Sequence, residues 1–239
     1  MLLFLLACAV SLIPFIAIFF WLRGLKKEDS VYQKICSSAF IQGIISVLPI
    51  ILVSAAFQII LRLTGIHKTN PLLYQGLYTF IVLAFAEELV KYLTFKNVMK
   101  KNQYPYSWLD MVALMTIVGA GFGFIESITY AIGASIPVVL VRGICVPHAG
   151  YGFVTGYFYG KGMKTGKPAV KWTGFLLSWL MHGMYDFSLS EEFIALNDNL
   201  MAVALLLALL EIVLVIRMIV FVKKKRKIEM YTEPAADQI

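Results

Sequence analysis

This 239-residue chain is poor in charge (15% of residues), in histidine (three) and in cysteine (three), and each scarcity excludes something. Cys8, Cys36 and Cys145 are odd in number and sit in or beside apolar segments, where a free thiol behaves as a small hydrophobe, so they do not form a disulfide framework. Cys145 and His148 stand at i,i+3, one helix face, but no acid or base adjoins Cys145 to favour a thiolate. No His-Glu-x-x-His occurs, so the usual helical signature of a zinc hydrolase is missing. Ser127 and Ser178 lack the tight glycine-flanked setting of a nucleophile. An aspartyl dyad lacks its second member, because Asp186 lies well inside an apolar run while Asp110 sits at the entry to one. The first run has no basic residues before it and no small-residue cleavage site near Trp21, so it reads as a helix that stays.

What is abundant is apolar surface. Hydrophobic residues make up 60% of the chain, against roughly 45 to 50% for soluble domains. They fall in runs at 1–22, 36–61, 72–95, 108–133, 137–160, 172–189 and 199–222, each near the roughly 17 to 25 residues that cross hydrocarbon. The reading is an all-α polytopic membrane protein, a bundle of about seven transmembrane helices. It has one domain over 1–222 with its chemical core at about 80–190, and a basic tail at 223–239.

The net charge of +7 is distributed by side, which argues against a nucleic-acid partner. With the N-terminus outside, sixteen basic residues fall on the inner loops and tail, including Arg23, Lys26, Lys27, Lys100, Lys164 and the run Lys223–Lys227; the outer side receives Arg62 and Lys68. That bias predicts N-out and C-in, with anionic lipid as the partner of the basic loops and tail.

Against this background, Glu87, Glu88, Glu126, Arg142, His148, His182 and Asp186 stand out, because a charge near the bilayer centre costs roughly 2.5 to 3.5 kcal/mol and persists where it faces protein or water. Glu87 and Glu88 lie i,i+4 and i,i+3 from Lys91, so one lysine can neutralise either. Alternating Gly119, Gly121 and Gly123 precede Glu126, baring both faces of a helix for close packing; Tyr130 follows one turn on, either as a donor to Glu126 or as an interfacial aromatic. Pro147 predicts a bend beside His148, followed by the small ridge Gly152, Gly156 and Gly160. His182 and Asp186 share a face at i,i+4, a spacing that lets a carboxylate fix an imidazole tautomer. Taken one by one, each has an ordinary structural reading: snorkelling, packing or a helix-fixing pair. Together they match what hydrolysis needs, a group to activate water and groups to hold the oxyanion. Two histidines and a glutamate, with Glu126, His148 and His182 the candidates, also meet the ligand count of a catalytic zinc site. In the last run, Glu211 is expected to find a partner on another helix and Arg217 to snorkel inward.

Glu87-Glu88-x-x-Lys91, Gly-Phe-Gly-Phe-x-Glu126 with Tyr130, Pro147-His148 with its glycines, and His182-x-x-x-Asp186 resemble, in order, the blocks of the PrsW-type membrane proteases. The resemblance covers about 80–190 and implies an intramembrane endopeptidase of the bacterial cytoplasmic membrane, making the first cut in a single-span anti-sigma factor. The family is distantly similar to the CAAX prenyl-endopeptidases and bacteriocin-immunity-type membrane proteases. That wider likeness implies Glu87 as the water-activating base with Glu88 behind it, and His148 and His182 positioning water or the oxyanion. Lys91, Tyr130, Arg142 and Asp186 would be supporting groups. Glu126 falls where the wider group carries histidine, a change that suits zinc ligation. The competing reading is a transporter or lipid-modifying enzyme using the same groups as a proton relay, but no second Glu-Glu block marks a repeated half. Counting along the runs puts Glu87 and Glu88 toward the inner end, Glu126 in the outer half and the histidines near the middle.

Overall fold

Inside a bilayer, backbone N–H and C=O groups must be satisfied within the segment, and long apolar runs do so as helices. The computed structural model describes residues 2–133 and 136–232, with side chains from 7 to 228 except at 133, 137, 138, 142 and 198, and the described residues contain helices and no strand. In order they are α1 (Leu2–Arg23), α2 (Ser30–Ile45), α3 (Val47–Leu63), the short α4 (Ile66–Thr69), α5 (Pro71–Leu77), α6 (Phe85–Asn102), α7 (Trp108–Gly133), α8 (Ile136–Cys145), α9 (Pro147–Thr165), α10 (Pro168–Ser188), the short α11 (Glu191–Ile194) and α12 (Met201–Thr232). A π-helical segment, Tyr78–Ala84, joins α5 to α6.

Local chemistry sets the ends. Asp29 caps α2 by accepting from the Tyr32 N–H at 2.8 Å. Pro71, Pro147 and Pro168 open α5, α9 and α10, where a missing N–H costs nothing. Gly166, at φ 67°, closes α9 in the left-handed region that glycine enters freely.

Five helical runs are long and apolar enough to cross a membrane: Ala7–Lys26, Ser30–Leu63, Pro71–Asn102, Trp108–Ile132 and Met201–Ile228. The fourth of these is 78% buried within the protein, against 17 to 28% for the others, so α7 is the axis and the rest face outward. Glycine makes that axis possible. A side chain at Gly119 would run into the His148 carbonyl on α9, and one at Gly121 into the Phe40 carbonyl on α2. The expectation that these glycines bare both faces of the helix therefore holds.

Two expectations about the helices change. The run 137–160 is not one helix, because Val146 adopts φ 45° and separates α8 from α9. Residues before proline are pushed out of the α region, which is the local cause of the break. Cys145 and His148 therefore sit on different helices, not on one face. The basic run Lys223–Lys227 belongs to α12, which continues to Thr232; residues 233–239 of the expected tail lie outside the described residues.

The basic loops gather at one end of the bundle. Lys26 bonds Asp110 at 2.8 Å, and Lys164 and Lys225 lie over the Trp108 ring at 5.9 and 4.6 Å from its centroid.

Candidate active site

Measured from that basic end, the polar residues come level. Glu87 lies 15 residues before the end of α6, Glu126 lies 18 after the start of α7, His148 lies 17 before the end of α9 and His182 lies 14 after the start of α10. At 1.5 Å per residue these heights span about 21 to 27 Å, little more than one helical turn. The difference in depth expected from hydropathy disappears because α6 runs on to Asn102, seven residues past the limit at 95.

Four helices thus bring Glu87, Glu88 and Lys91 (α6), Glu126 (α7), His148 (α9), and His182 and Asp186 (α10) to one place. Glu88 is the tied carboxylate. Its Oε1 accepts from Lys91 Nζ at 2.6 Å and lies 2.9 Å from His182 Nδ1, and the residue is 1% exposed. Lys91, also 1% exposed, reaches His148 Nδ1 at 2.9 Å and lies over the Phe122 ring. An ammonium has only protons to give, so Nδ1 of His148 accepts from Lys91 and the proton of the neutral ring sits on Nε2, which bonds Glu126 Oε2. In His182 the order is reversed. Nδ1–H donates to Glu88, and Nε2 faces Asp186 Oδ2 at 3.1 Å and Glu87 Oε2 at 3.7 Å. The two histidines, with ring centroids 5.1 Å apart, thus both turn Nδ1 to the Glu88–Lys91 pair and Nε2 to the other carboxylates.

Glu87 is the untied carboxylate. Its Oε2 is buried without a hydrogen bond, 3.7 Å from His182 Nε2 and 3.8 Å from Lys91 Nζ. The adjacent glutamates approach the same histidine from its two nitrogens.

Of the remaining expected groups, Tyr130 is exposed one turn beyond Glu126 on α7, and the side chain of Arg142 lies outside the described residues. Ser178 is a structural hydroxyl, donating to the Tyr151 carbonyl at 2.9 Å and sharing a hydrogen bond with Thr155 at 2.8 Å.

Sequence reasoning missed Tyr151. Its ring stacks on His182 with centroids 5.0 Å apart and planes at 19°, and its buried hydroxyl has no hydrogen bond within normal limits. Glu211 of α12, 1% exposed, packs on α9 at Gly150, but its Oε2 has no hydrogen bond, so the interhelical partner expected for that carboxylate is not a bonded one among the described residues. The available signal was the i,i+3 spacing from His148 to Tyr151, which puts both on one face of α9.

Glu87, His148 and His182 each bring one possible ligand atom within 4.8 Å of the others. The surroundings fit a cation, since Glu87 and Glu88 share the Lys91 ammonium and Glu126 and Asp186 stand against the two histidines. The His182 Nε2 lone pair points toward two carboxylate oxygens, an arrangement that needs a proton or a metal ion between them. Glu87 takes the place expected for Glu126 in this cluster, while Glu126 bonds His148.

The match to known proteins agrees with this geometry. Residues 33–220 match the family described as PrsW family intramembrane metalloprotease. Protease PrsW of Oceanobacillus iheyensis is 29% identical over 157 residues, 63% of this chain and 67% of that protein. Protease PrsW of Geobacillus kaustophilus is 28% identical over 161 residues (63% and 64%), and that of Shouchella clausii 28% over 156 residues (64% and 68%). The matched stretch thus spans about two thirds of these relatives. No solved structure matches the chain. With four helices converging on a glutamate–histidine cluster and the family match running across all of them, this multi-pass membrane protein belongs to the PrsW family of intramembrane metalloproteases.

Proposed function

We propose that the protein is a membrane-embedded endopeptidase that cuts a single-span, membrane-anchored protein near or just outside the membrane surface. The substrate class is that of the anti-sigma factors of bacterial stress signalling. The observation that carries the reading is the unbonded Glu87 Oε2 facing His182 in a buried, carboxylate-rich cluster. A buried acceptor left open costs roughly 1 to 3 kcal/mol, more when charged, and is retained where it binds something.

Hydrolysis divides among the residues as follows. Glu88 and Lys91 hold the histidines, one through His182 Nδ1 and the other through His148 Nδ1, and so fix which ring nitrogen faces the reacting groups. Water binds against Glu87 and His182, and Glu87 takes its proton as the oxygen attacks the scissile carbonyl. His148 Nε2–H, held by Glu126 before substrate binds, turns from that carboxylate to donate to the oxyanion, while Lys91 keeps the ring in place through Nδ1. The proton on Glu87 passes to the leaving amine.

Glu87, His148 and His182 would hold a zinc ion, which when bound supplies an acidified water and polarises the carbonyl. Glu87 then uses the same lone pair as a ligand, and metal content separates the two roles. Zinc retained in Glu87→Gln marks a base, and zinc lost marks a ligand.

In the membrane we place the basic end in the cytoplasm, with α9 and α10 crossing beside the five apolar runs, N-terminus out and C-terminus in. Purified protein in vesicles with a single-span substrate tests the whole reading. One cut near the membrane surface, absent in Glu87→Gln, is expected. An intact substrate, or equal cutting by Glu87→Gln, overturns it.

A further inference from the structure

Arg217 lies in the apolar run Met201–Ile228 of α12, six residues before Lys223, or about 9 Å of helix from the basic interface. Its side chain is exposed, and among the described residues no carboxylate comes within ion-pair distance of it or of Lys224. A guanidinium in hydrocarbon requires water or an anion beside it.

Arg217 and Lys224 are seven residues apart and so share a face of α12. That face borders a groove of about 540 Å³ against α9, walled by Phe153, Phe158, Leu214 and Val220, within the roughly 300 to 1,000 Å³ of small-ligand sites. The neighbouring Lys164 and Lys225 are engaged over Trp108, which leaves Arg217 and Lys224 as the groove's own cations. Apolar walls with two unpaired cations complement a molecule with a hydrocarbon chain and a phosphate. Among the described residues no carboxylate lines the groove to receive a choline or ethanolamine cation, so a net-negative headgroup is selected.

We propose that the groove between α9 and α12 holds one anionic glycerophospholipid, its phosphate between Arg217 and Lys224 and an acyl chain along Phe153, Phe158, Leu214 and Val220. The site is independent of the hydrolytic cluster.

Native mass spectrometry of the full chain in detergent, titrated with dioleoylphosphatidylglycerol or dioleoylphosphatidylcholine, tests this. The expected result is a monomer carrying one tightly held phosphatidylglycerol, with phosphatidylcholine at least fivefold weaker. Arg217→Gln and Lys224→Gln should each weaken retention about fivefold, the worth of one basic residue at an anionic surface; Lys34→Gln, on α2, should not. Lys224 is exposed on the basic stretch of α12, so Lys224→Gln remains informative if Arg217→Gln misfolds. Four results would overturn the proposal: unchanged retention in Lys224→Gln, equal retention of the two lipids, displacement of lipid by inorganic phosphate alone, or a dimer that the substitutions dissolve.

Discussion

Two polar clusters lie in this bundle, and they differ in whether their hydrogen bonds close. At the basic end, Lys26 bonds Asp110 at 2.8 Å and Tyr104 at 3.3 Å, Tyr104 donates to Asp29 at 2.6 Å, and Asp110 accepts from the Ser107 N–H at 2.8 Å. Each group there has its partner, and the cluster ties α1, α2 and the 103–107 loop to the start of α7. In the buried cluster, Glu88 and Lys91 are equally well tied, but Glu87 Oε2 is not. A closed network rigidifies; a half-open one in the same fold is there to receive a ligand or a reacting group.

The comparison breaks most sharply on paired substitutions. Glu87→Gln should lower turnover about 10² to 10⁴-fold, the worth of a general base, and leave the melting temperature almost unchanged, because no hydrogen bond is lost. Asp110→Asn should do the reverse. A melting curve and a cleavage assay on both variants check this, and a large destabilisation by Glu87→Gln would make it a structural residue.

Next in size is Lys91→Ala. Sequence spacing alone makes Lys91 a mild supporting group, but its burial between Glu88 and His148 changes the expectation. Removing one member of a buried pair costs about 3 to 5 kcal/mol, so urea unfolding should show a clear drop in stability, and Lys91→Met should not restore activity.

Tyr151→Phe and Glu211→Gln test the shell behind His182. Each should lower turnover by about tenfold or less, in line with the range for outer-shell partners of metal ligands, with zinc content by elemental analysis reduced in parallel if the shell positions a ligand. Unchanged turnover in both would reduce Tyr151 to packing.

The smallest effect belongs to the closed cluster. The Tyr104 hydroxyl, and after it the Tyr32 N–H, hold the Asp29 carboxyl below its usual pKa of 3.8. Its folded-state pKa is depressed, so its contribution is present above the unfolded value and fades as pH falls through the folded one. Asparagine still caps α2, and Asp29 is partly exposed, so Asp29→Asn should cost about 1 kcal/mol or less at pH 7 after screening. The gap in melting temperature from wild type should close as pH drops below 4.

The residue blocks were legible because they obey helical spacing: Glu87, Glu88 and Lys91 on α6, and His182 and Asp186 on α10, meet at the i,i+3 and i,i+4 distances read from the chain. What crosses between helices was not. That Glu88 holds His182, and that Tyr151 stacks on it, depend on how α6, α9 and α10 pack, which no local period encodes. Depth was misjudged for a different reason. Hydropathy marks where a run stops being apolar, whereas α6 ends where Gln103 turns to φ 44°.

The break at Val146 has an electrical consequence. A continuous helix through 137–160 would have carried its free N–H groups away to the membrane surface. By restarting at Pro147, the chain places the first turn of the 19-residue α9, with about half a positive elementary charge, beside His148 and the Glu126 carboxylate that bonds it. The interrupted backbone is thus a fixed partial cation that needs no side chain. It acts in the same direction as Lys91 and favours negative charge developing next to His148.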